Sequence, residues 1–296
     1  MLAYCLRCPW LFGLVIDPAL HYCSFLRFFL SFIVCFSPYR MFNSGTNLIF
    51  ELIENNCYNP ARTAIYGKNA PGIRWQVPWG KHSPASYRLV HWATKNLGIN
   101  PLNVLPVVVT KDPYTWMQSL CRHPYSARWK RTKQHCPNLV PNDLDQLHGF
   151  VRDIAHEEEL KRDGIPVTIK YSLDATAYSN MVGAWNTWYG DFFDVEYPRV
   201  IIRFEDLLLH TEEVVTQVCH CFGGKRYDEN NFMYISDSAK GEKGPHKGSG
   251  GLTEALLRYT NADNRVKAFT NDDLVFANGH LNRTMMEMLH YTITPS

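Results

Sequence analysis

The chain has 296 residues, of which 46% are hydrophobic and 20% are charged, and this composition excludes a chain that is disordered throughout. Thirty Lys and Arg residues stand against 28 Asp and Glu residues, so the net charge of +2 excludes a global positive field for nucleic acid or an anionic membrane. We therefore predict no nucleic-acid partner and expect any anion site to be local. The 9 cysteines are scattered without paired CxxC units, so we predict no metal site, and they leave the redox compartment open.

The N-terminal segment is apolar but does not have the length of a membrane span. The run FLRFFLSFIVCF covers residues 25–36 and contains Arg27, whereas a span needs about 20 residues. We interpret its end, residues 32–36, as a buried first strand. Residues 1–31 are predicted to be an N-terminal extension, either an anchor remnant or a poorly defined segment, and residues 32–291 a single domain.

Strand and helix patterns alternate along the rest of the chain. Continuous apolar runs predict strands, and runs with helical spacing predict helices. The predicted strands are 31–36, 73–77, 103–110 and 199–204. The predicted helices are 46–56, 84–98, 113–123, 144–164, 174–193 and 205–223. Between them, residues 122–145 are interpreted as an irregular surface insertion. The alternation predicts an α/β fold with a mostly parallel central sheet flanked by helices.

A loop containing glycine follows the first predicted strand and leads into the first helix. It reads Asn43-Ser44-Gly45-Thr46-Asn47. Backbone N–H groups at a helix N-terminus bind phosphate or sulfate with help from the helix dipole, and Ser44 and Thr46 add hydroxyl groups. The alternative is an ordinary helix start with glycine in the turn. The GxxxxGK[ST] pattern of nucleotide kinases does not occur here.

Two further segments follow predicted strands. Lys111 comes after strand 103–110, and Ser119 lies eight residues further on in the next helix. Ligands of open α/β sheets bind at the carboxyl ends of strands, so both residues are expected to face one crevice. The third segment, residues 203–207, reads RFEDL, and we expect Asp206 to cap the helix that follows.

Together these segments resemble the sulfotransferases that use 3′-phosphoadenosine 5′-phosphosulfate (PAPS). The first loop of that family reads approximately PKSGTT, and here it reads FNSGTN over residues 42–47. The second family site has an Arg at a strand end with a Ser eight residues later, which matches Lys111 and Ser119. The R[YF]EDL segment of the family matches residues 203–207. The resemblance covers roughly residues 32–291.

The resemblance implies a three-layer sandwich like that of P-loop NTPases and a metal-free transfer of a sulfuryl group from PAPS to a hydroxyl or amine. It implies that Ser44, Gly45, Thr46 and Asn47 hold the 5′-phosphosulfate. By the same resemblance, Lys111 and Ser119 would bind the 3′-phosphate.

This chain departs from the family pattern at two cations. Asn43 stands where the family has a lysine, and Lys111 keeps the charge of an arginine without its bidentate fork. Arg40 is one candidate to restore the missing charge. The others lie in the Gly- and Lys-rich segment near the C-terminus, for which a solvated loop is the alternative; they are Lys240, Lys243 and Lys247.

The resemblance also points to a catalytic pair in PWGKHSPAS. The family base is usually a histidine in a KTH-like segment, which matches Lys81-His82 here. A neutral imidazole can accept a proton near neutral pH, so we predict His82 as the general base and Lys81 near the sulfuryl oxygens. The alternative for His82 is a surface or packed histidine, and His91 and His123 are weaker candidates.

Asn43 also motivates a second hypothesis, a catalytically weak nucleotide-binding or scaffold protein on the same fold. A P-loop phosphotransferase is disfavoured by the missing Walker lysine. A sugar, a glycan, a phenol or another alcohol fits the acceptor role equally. The location is open between the cytoplasm and the Golgi membrane or lumen, and the single sequon Asn282-Arg283-Thr284 is compatible with the lumen.

Overall fold

The computed structural model describes residues 3–6, 35–39, 41–69, 71–90, 103–143, 145, 149, 151–171, 174–237 and 251–295. The chain divides into two compact units. The first unit comprises Met1–Lys111 and Val195–Thr260, and the second comprises Asp112–Asp194 and Asn261–Ser296. Of the predicted N-terminal extension, only residues 3–6 are among the described residues. The single domain predicted over residues 32–291 stays a prediction.

Short β-strands occur in both units. The strands of the described residues are β1 (Ala3–Leu6), β2 (Cys35–Tyr39), β3 (Cys57–Tyr58), β4 (Val104–Thr110), β5 (Ala127–Trp129), β6 (Val167–Tyr171), β7 (Asp174–Tyr178), β8 (Arg199–Arg203) and β9 (Lys225–Arg226).

Helices alternate with these strands along the chain. They are α1 (Thr46–Asn56), α2 (Pro60–Tyr66), α3 (Tyr87–Val90), α4 (Pro113–Arg122), α5 (Ile154–Asp163), α6 (Met181–Asp194), α7 (Phe204–Leu209), α8 (Thr211–Cys221), α9 (Leu252–Thr260), α10 (Asn271–His280) and α11 (Arg283–Met288), with a 3₁₀ turn at Ala262–Arg265. Among the described residues, no helix is both long enough and apolar enough to cross a bilayer.

The first unit is built on a four-stranded sheet with the order β1-β8-β4-β2. β2, β4 and β8 run parallel, and β1 is an antiparallel edge strand. Every residue of β4 is buried, as expected for the apolar run of a parallel strand covered on both faces. The predicted α/β class is therefore confirmed as a mixed α/β fold with small sheets, some of whose strands are parallel.

The core of the first unit packs α1 and α8 against the sheet. Ile49 and Ile53 of α1 join Val214 and Val218 of α8 in one buried cluster. A disulfide between Cys57 and Cys219 links β3 to α8. These contacts fix the helix that carries the predicted phosphate loop.

The first unit also contains a buried arginine, Arg88. Arg88 of α3 donates to Val104 O at 3.1 Å, and its guanidinium lies 4.1 Å from the ring centroid of Tyr197. Burial lowers the pKa of Arg88 to about 10, although Tyr197 opposes the shift. Nothing in the sequence pattern indicated a buried charge at this position.

Two element predictions in the first unit are wrong. In the predicted strand 73–77, Ile73 forms a single bridge and residues 74–77 are irregular. Gly72 before them has a φ of 86°, and the exposed Trp75 lies in a bend. The helix predicted over 205–223 is interrupted at His210, whose φ and ψ of −130° and 44° are not helical. Beside it, the Thr211 hydroxyl donates to Leu207 O at 2.9 Å, a side-chain bond that competes with regular helix.

The second unit contains the antiparallel sheet β5-β6-β7 and helices α4, α5, α6, α10 and α11. The helix predicted over 174–193 is wrong at its start, because β7 occupies Asp174–Tyr178. Asn180 then opens α6 by accepting from Gly183 N at 2.7 Å. The helix predicted over 144–164 is interrupted at residues 151–153, and Asp153 caps α5, which begins at Ile154. Residues 144, 146–148 and 150 of this prediction lie outside the described residues.

Two members of a buried ion-paired triad, His135 and Asp145, lie in residues 122–145, which the sequence predicted to be a surface insertion; the third is Asp273 of α10. His135 places Nδ1 2.9 Å from Asp145 Oδ2 and Nε2 2.9 Å from Asp273 Oδ2. Burial lowers the pKa of His135, but the hydrogen bonds and charges of the two carboxylates outweigh it and the net pKa is raised. Burial raises the pKa of Asp273, but His135 and the N–H groups of Leu139 and Thr270 hold it below its usual value. The imidazolium and the carboxylates therefore stabilise one another.

Candidate functional site

The loop before α1 has the tight geometry that an anion-binding turn needs. Asn43 and Gly45 have φ values of 64° and 87°, both in the left-handed region that glycine and, less often, asparagine adopt. Between them, Ser44 is buried and donates its hydroxyl to Met41 O at 2.8 Å. The loop turns so that α1 begins at Thr46, as predicted.

The N-terminus of α1 has no side-chain cap from its N-cap residue, because that residue is Gly45. The helix is 11 residues long, so its dipole and its first N–H groups favour an anion at this end. Thr46 is buried, and its Oγ1 has no hydrogen-bond partner among the described residues. Most buried hydroxyl groups in folded proteins have a hydrogen-bond partner, so this one is an exception.

Phe204 holds this loop from the end of β8. A Cβ added at Gly45 would lie 2.4 Å from Phe204 Cδ2. Since β2, β4 and β8 are parallel, the residues that follow them meet at one edge of the sheet. A residue with a side chain at position 45 would be strained by the positive φ and would clash with the Phe204 ring.

Replacing Gly45 with alanine should lower the free energy of unfolding by about 2 kcal/mol or more, since it adds left-handed strain and a clash. The matched control is Gly223→Ala, where φ is 71° but the added Cβ would meet only Asn59 Nδ2 at 3.9 Å. Urea unfolding of both variants separates strain from clash. Equal losses would show that Phe204 does not pack closely on the loop.

Lys111 lies against the same loop. Its Nζ donates to Asn43 O at 3.4 Å and to the Tyr259 hydroxyl at 2.8 Å. The same atom lies 4.5 Å from the ring centroid of Phe204. Lys111 is buried, so its ammonium group is held in place beside Asn43.

Lys81 and His82 approach the loop from a different segment of the first unit. Lys81 Nζ donates to Asn47 Oδ1 at 2.8 Å and lies 3.3 Å from the ring centroid of Trp75. The His82 ring stacks on Phe42 with centroids 4.2 Å apart. Both predicted catalytic residues therefore contact residues of the loop or of the first turn of α1.

Ser119 belongs to the second unit, whereas Lys111 belongs to the first. The Ser119 hydroxyl donates to Thr115 O at 2.7 Å and accepts from Arg122 at 3.0 Å. The pairing of Lys111 and Ser119 at one phosphate stays a prediction. The four remaining predicted cations lie outside the described residues; they are Arg40, Lys240, Lys243 and Lys247.

The prediction that Asp206 caps the helix after the strand is wrong. Arg203 is the N-cap of α7, and Asp206 accepts two hydrogen bonds from its guanidinium at 2.9 and 2.6 Å. Asp206 is three residues after Arg203, and residues at this spacing are neighbours on one helix face, so the two side chains can pair. The segment thus supplies an ion pair and the Phe204 ring.

Sequence reasoning missed the aromatic residues around the lysines. Tyr259 and Phe204 contact Lys111, and Phe42 contacts His82. Their only sequence signal is the overall richness in aromatic residues. By contrast, Trp185 and Trp188 are buried in α6 of the second unit.

The electrostatic features of the first unit favour a ligand with several negative charges. Two lysines and a helix N-terminus lie around one turn, and a histidine stands beside it. In the part of the chain that the structure describes, no group of three or more His, Cys, Asp or Glu side chains could hold a metal ion. No protein-family model matches the chain, and no curated protein shows a significant match to it.

Proposed function

We propose that this chain is a sulfotransferase that moves a sulfuryl group from PAPS to a hydroxyl or amine acceptor. The observation that carries the proposal is the convergence of Lys111, Lys81 and His82 on the loop before α1. With it we propose the P-loop-like three-layer sandwich, which the parallel strands β2, β4 and β8 support.

The two lysines offer an answer to the missing loop cation. Asn43 contributes no charge, but Lys111 Nζ lies 3.4 Å from its carbonyl oxygen. Lys81 Nζ donates to Asn47 Oδ1, so it contacts the last residue of the loop sequence 43–47, whereas Lys111 contacts the first. A phosphosulfate bound at the N-terminus of α1 would therefore have two ammonium groups near the loop, and charge-assisted hydrogen bonds are stronger than neutral ones.

The proposed reaction is an in-line displacement at sulfur. An acceptor oxygen or nitrogen forms the new bond to sulfur while the bond from sulfur to the 5′-phosphate oxygen breaks and its electron pair stays on that oxygen. His82 accepts the acceptor's proton, and Lys81 offsets the charge on the sulfuryl and bridging oxygens. Little other covalent work is needed, so positioning and electrostatics supply most of the rate.

The test is a transfer assay with sulfur-labelled PAPS against alcohols, sugars, glycans and phenols, combined with calorimetric binding of adenosine 3′,5′-bisphosphate without magnesium. We expect binding and label transfer to at least one acceptor. Lys81→Met should lower kcat/KM for PAPS by about 10- to 100-fold, because a hydrogen bond to a charged group contributes about 1.5–3 kcal/mol. The control is Lys68→Met, which removes an exposed lysine from a turn.

A folded chain that does not bind the bisphosphate would contradict the proposal. Binding without transfer to any acceptor would favour the second candidate, a nucleotide-binding or scaffold protein. The observation behind that candidate is that Lys111, buried, is already engaged by Asn43 O and the Tyr259 hydroxyl. A phosphate would have to compete for this lysine.

A further inference from the structure

We propose that Asn282 is an N-glycosylation site and that the chain matures in an oxidising secretory compartment. Asn282-Arg283-Thr284 is the only N-x-[ST] sequence in the chain. All three residues are exposed, at the point where α11 begins in the second unit. This inference does not rest on the proposed activity.

The contacts of Asn282 leave its reactive atom available. Its Oδ1 accepts from Met285 N at 3.1 Å as the N-cap of α11, and its backbone N–H donates to Asn186 Oδ1 at 3.1 Å. Its Nδ2 donates to no described residue. A glycan replaces one hydrogen on Nδ2 and leaves Oδ1 as an acceptor, so the folded chain can keep both the helix cap and the sugar.

Two disulfides give an independent reason to place the chain in such a compartment. Cys57 pairs with Cys219 in the first unit, and Cys121 pairs with Cys136 in the second. Structural disulfides form and persist in secretory compartments and are rare in the cytosol. N-glycosylation takes place in the secretory pathway, so the exposed sequon and the two disulfides point to the same compartment.

The modification is a group transfer whose donor is an oligosaccharide carried on a polyisoprenyl pyrophosphate. Asn282 Nδ2 forms a bond to sugar carbon C1 and loses a proton to a base of the transferring enzyme. The bond from C1 to the pyrophosphate oxygen breaks, and its electron pair leaves with the pyrophosphate. No oxidant or reductant is consumed in this step.

The experiment compares three full-length chains expressed in cultured animal cells with a C-terminal epitope tag. Thr284→Ala removes the sequon without touching the Asn282 cap, and Thr284→Ser keeps the sequon. We expect peptide N-glycosidase to increase the gel mobility of the wild type and of Thr284→Ser but not that of Thr284→Ala. Mass spectrometry of the digested wild type should find aspartate at position 282.

The same samples test the compartment. Alkylation before reduction should leave Cys57, Cys219, Cys121 and Cys136 unlabelled. An unmodified Asn282 in the wild type overturns the proposed site, as does a glycan that persists in Thr284→Ala. Free thiols at the four cysteines overturn the proposed compartment. A thermal midpoint of Thr284→Ala equal to that of the deglycosylated wild type would show that the variant folds.

Discussion

Replacing Asp273 with asparagine should lower the free energy of unfolding of the second unit by about 3–5 kcal/mol, because it leaves a buried imidazolium without one of its two carboxylates. Asp273 Oδ2 lies 2.9 Å from His135 Nε2, and both side chains are buried. The other oxygen accepts from Leu139 N at 2.7 Å. An amide cannot replace both acceptors, since one of its two positions would present a donor to a donor.

The measurement is urea unfolding followed by tryptophan fluorescence near pH 6. Asp272→Asn is the matched control, because Asp272 precedes Asp273 on α10 and is exposed. An exposed change of this kind stays within about 0.5 kcal/mol. A loss in Asp273→Asn no larger than that of the control would contradict the role given to the triad.

The same triad sets a pH dependence with a definite sign. The pKa of His135 is raised above its usual 6.5, so its stabilisation is complete below pH 6.5 and is lost as the pH rises through the raised value. The pKa of Asp273 is lowered from 3.8, so its stabilisation is complete above pH 3.8 and is lost as the pH falls through the lowered value. The second unit should be most stable between these limits. The difference between the wild type and Asp273→Asn should shrink above the raised pKa of His135.

The sequence could predict the elements whose signals are local. Gly45 and the hydrophobic spacing predicted α1 over residues 46–56, and the structure has it there. The apolar run predicted β4 to within one residue. Both features depend on neighbours along the chain, which a single sequence displays.

The charged and aromatic contacts could not be predicted, because their partners are distant along the chain. His135 and Asp273 are separated by 138 residues, and Lys111 and Tyr259 by 148. No periodicity relates such positions, and only the tertiary fold brings them together. Asp206 was misread as a cap for a different reason: its partner Arg203 is only three residues away, but it was assigned to the preceding strand.

The strand β7 shows a different limit. Residues 174–178 read DATAY and were joined to the aromatic helix that follows, although Asn180 is a helix-starting residue. β7 is stabilised by its pairing with β6, where Val167 faces Tyr178 in the register. Strand formation there depends on a partner more than on the intrinsic preference of the residues.

Replacing His82 with alanine should lower kcat for sulfuryl transfer by about 10²- to 10⁴-fold, the contribution typical of a positioned general base. Binding of adenosine 3′,5′-bisphosphate should persist, since the proposed contacts to that ligand come from the loop and the lysines. Alanine also removes the ring that stacks on Phe42 at 4.2 Å. A stacked pair contributes about 0.5–1.5 kcal/mol, so a loss of turnover in this variant alone has two explanations.

His82→Phe separates the two explanations, because phenylalanine keeps a ring on Phe42 but cannot accept a proton. We expect His82→Phe to lose turnover as His82→Ala does. We also expect free imidazole, added to the assay of His82→Ala, to restore part of the rate. His220→Ala, which removes an exposed histidine of α8, should behave as the wild type does. If His82→Phe turned over normally, the histidine would serve packing rather than proton transfer. A base acting on the acceptor also requires kcat to rise with pH as the imidazole loses its proton, and that pH profile should be absent from both His82 variants.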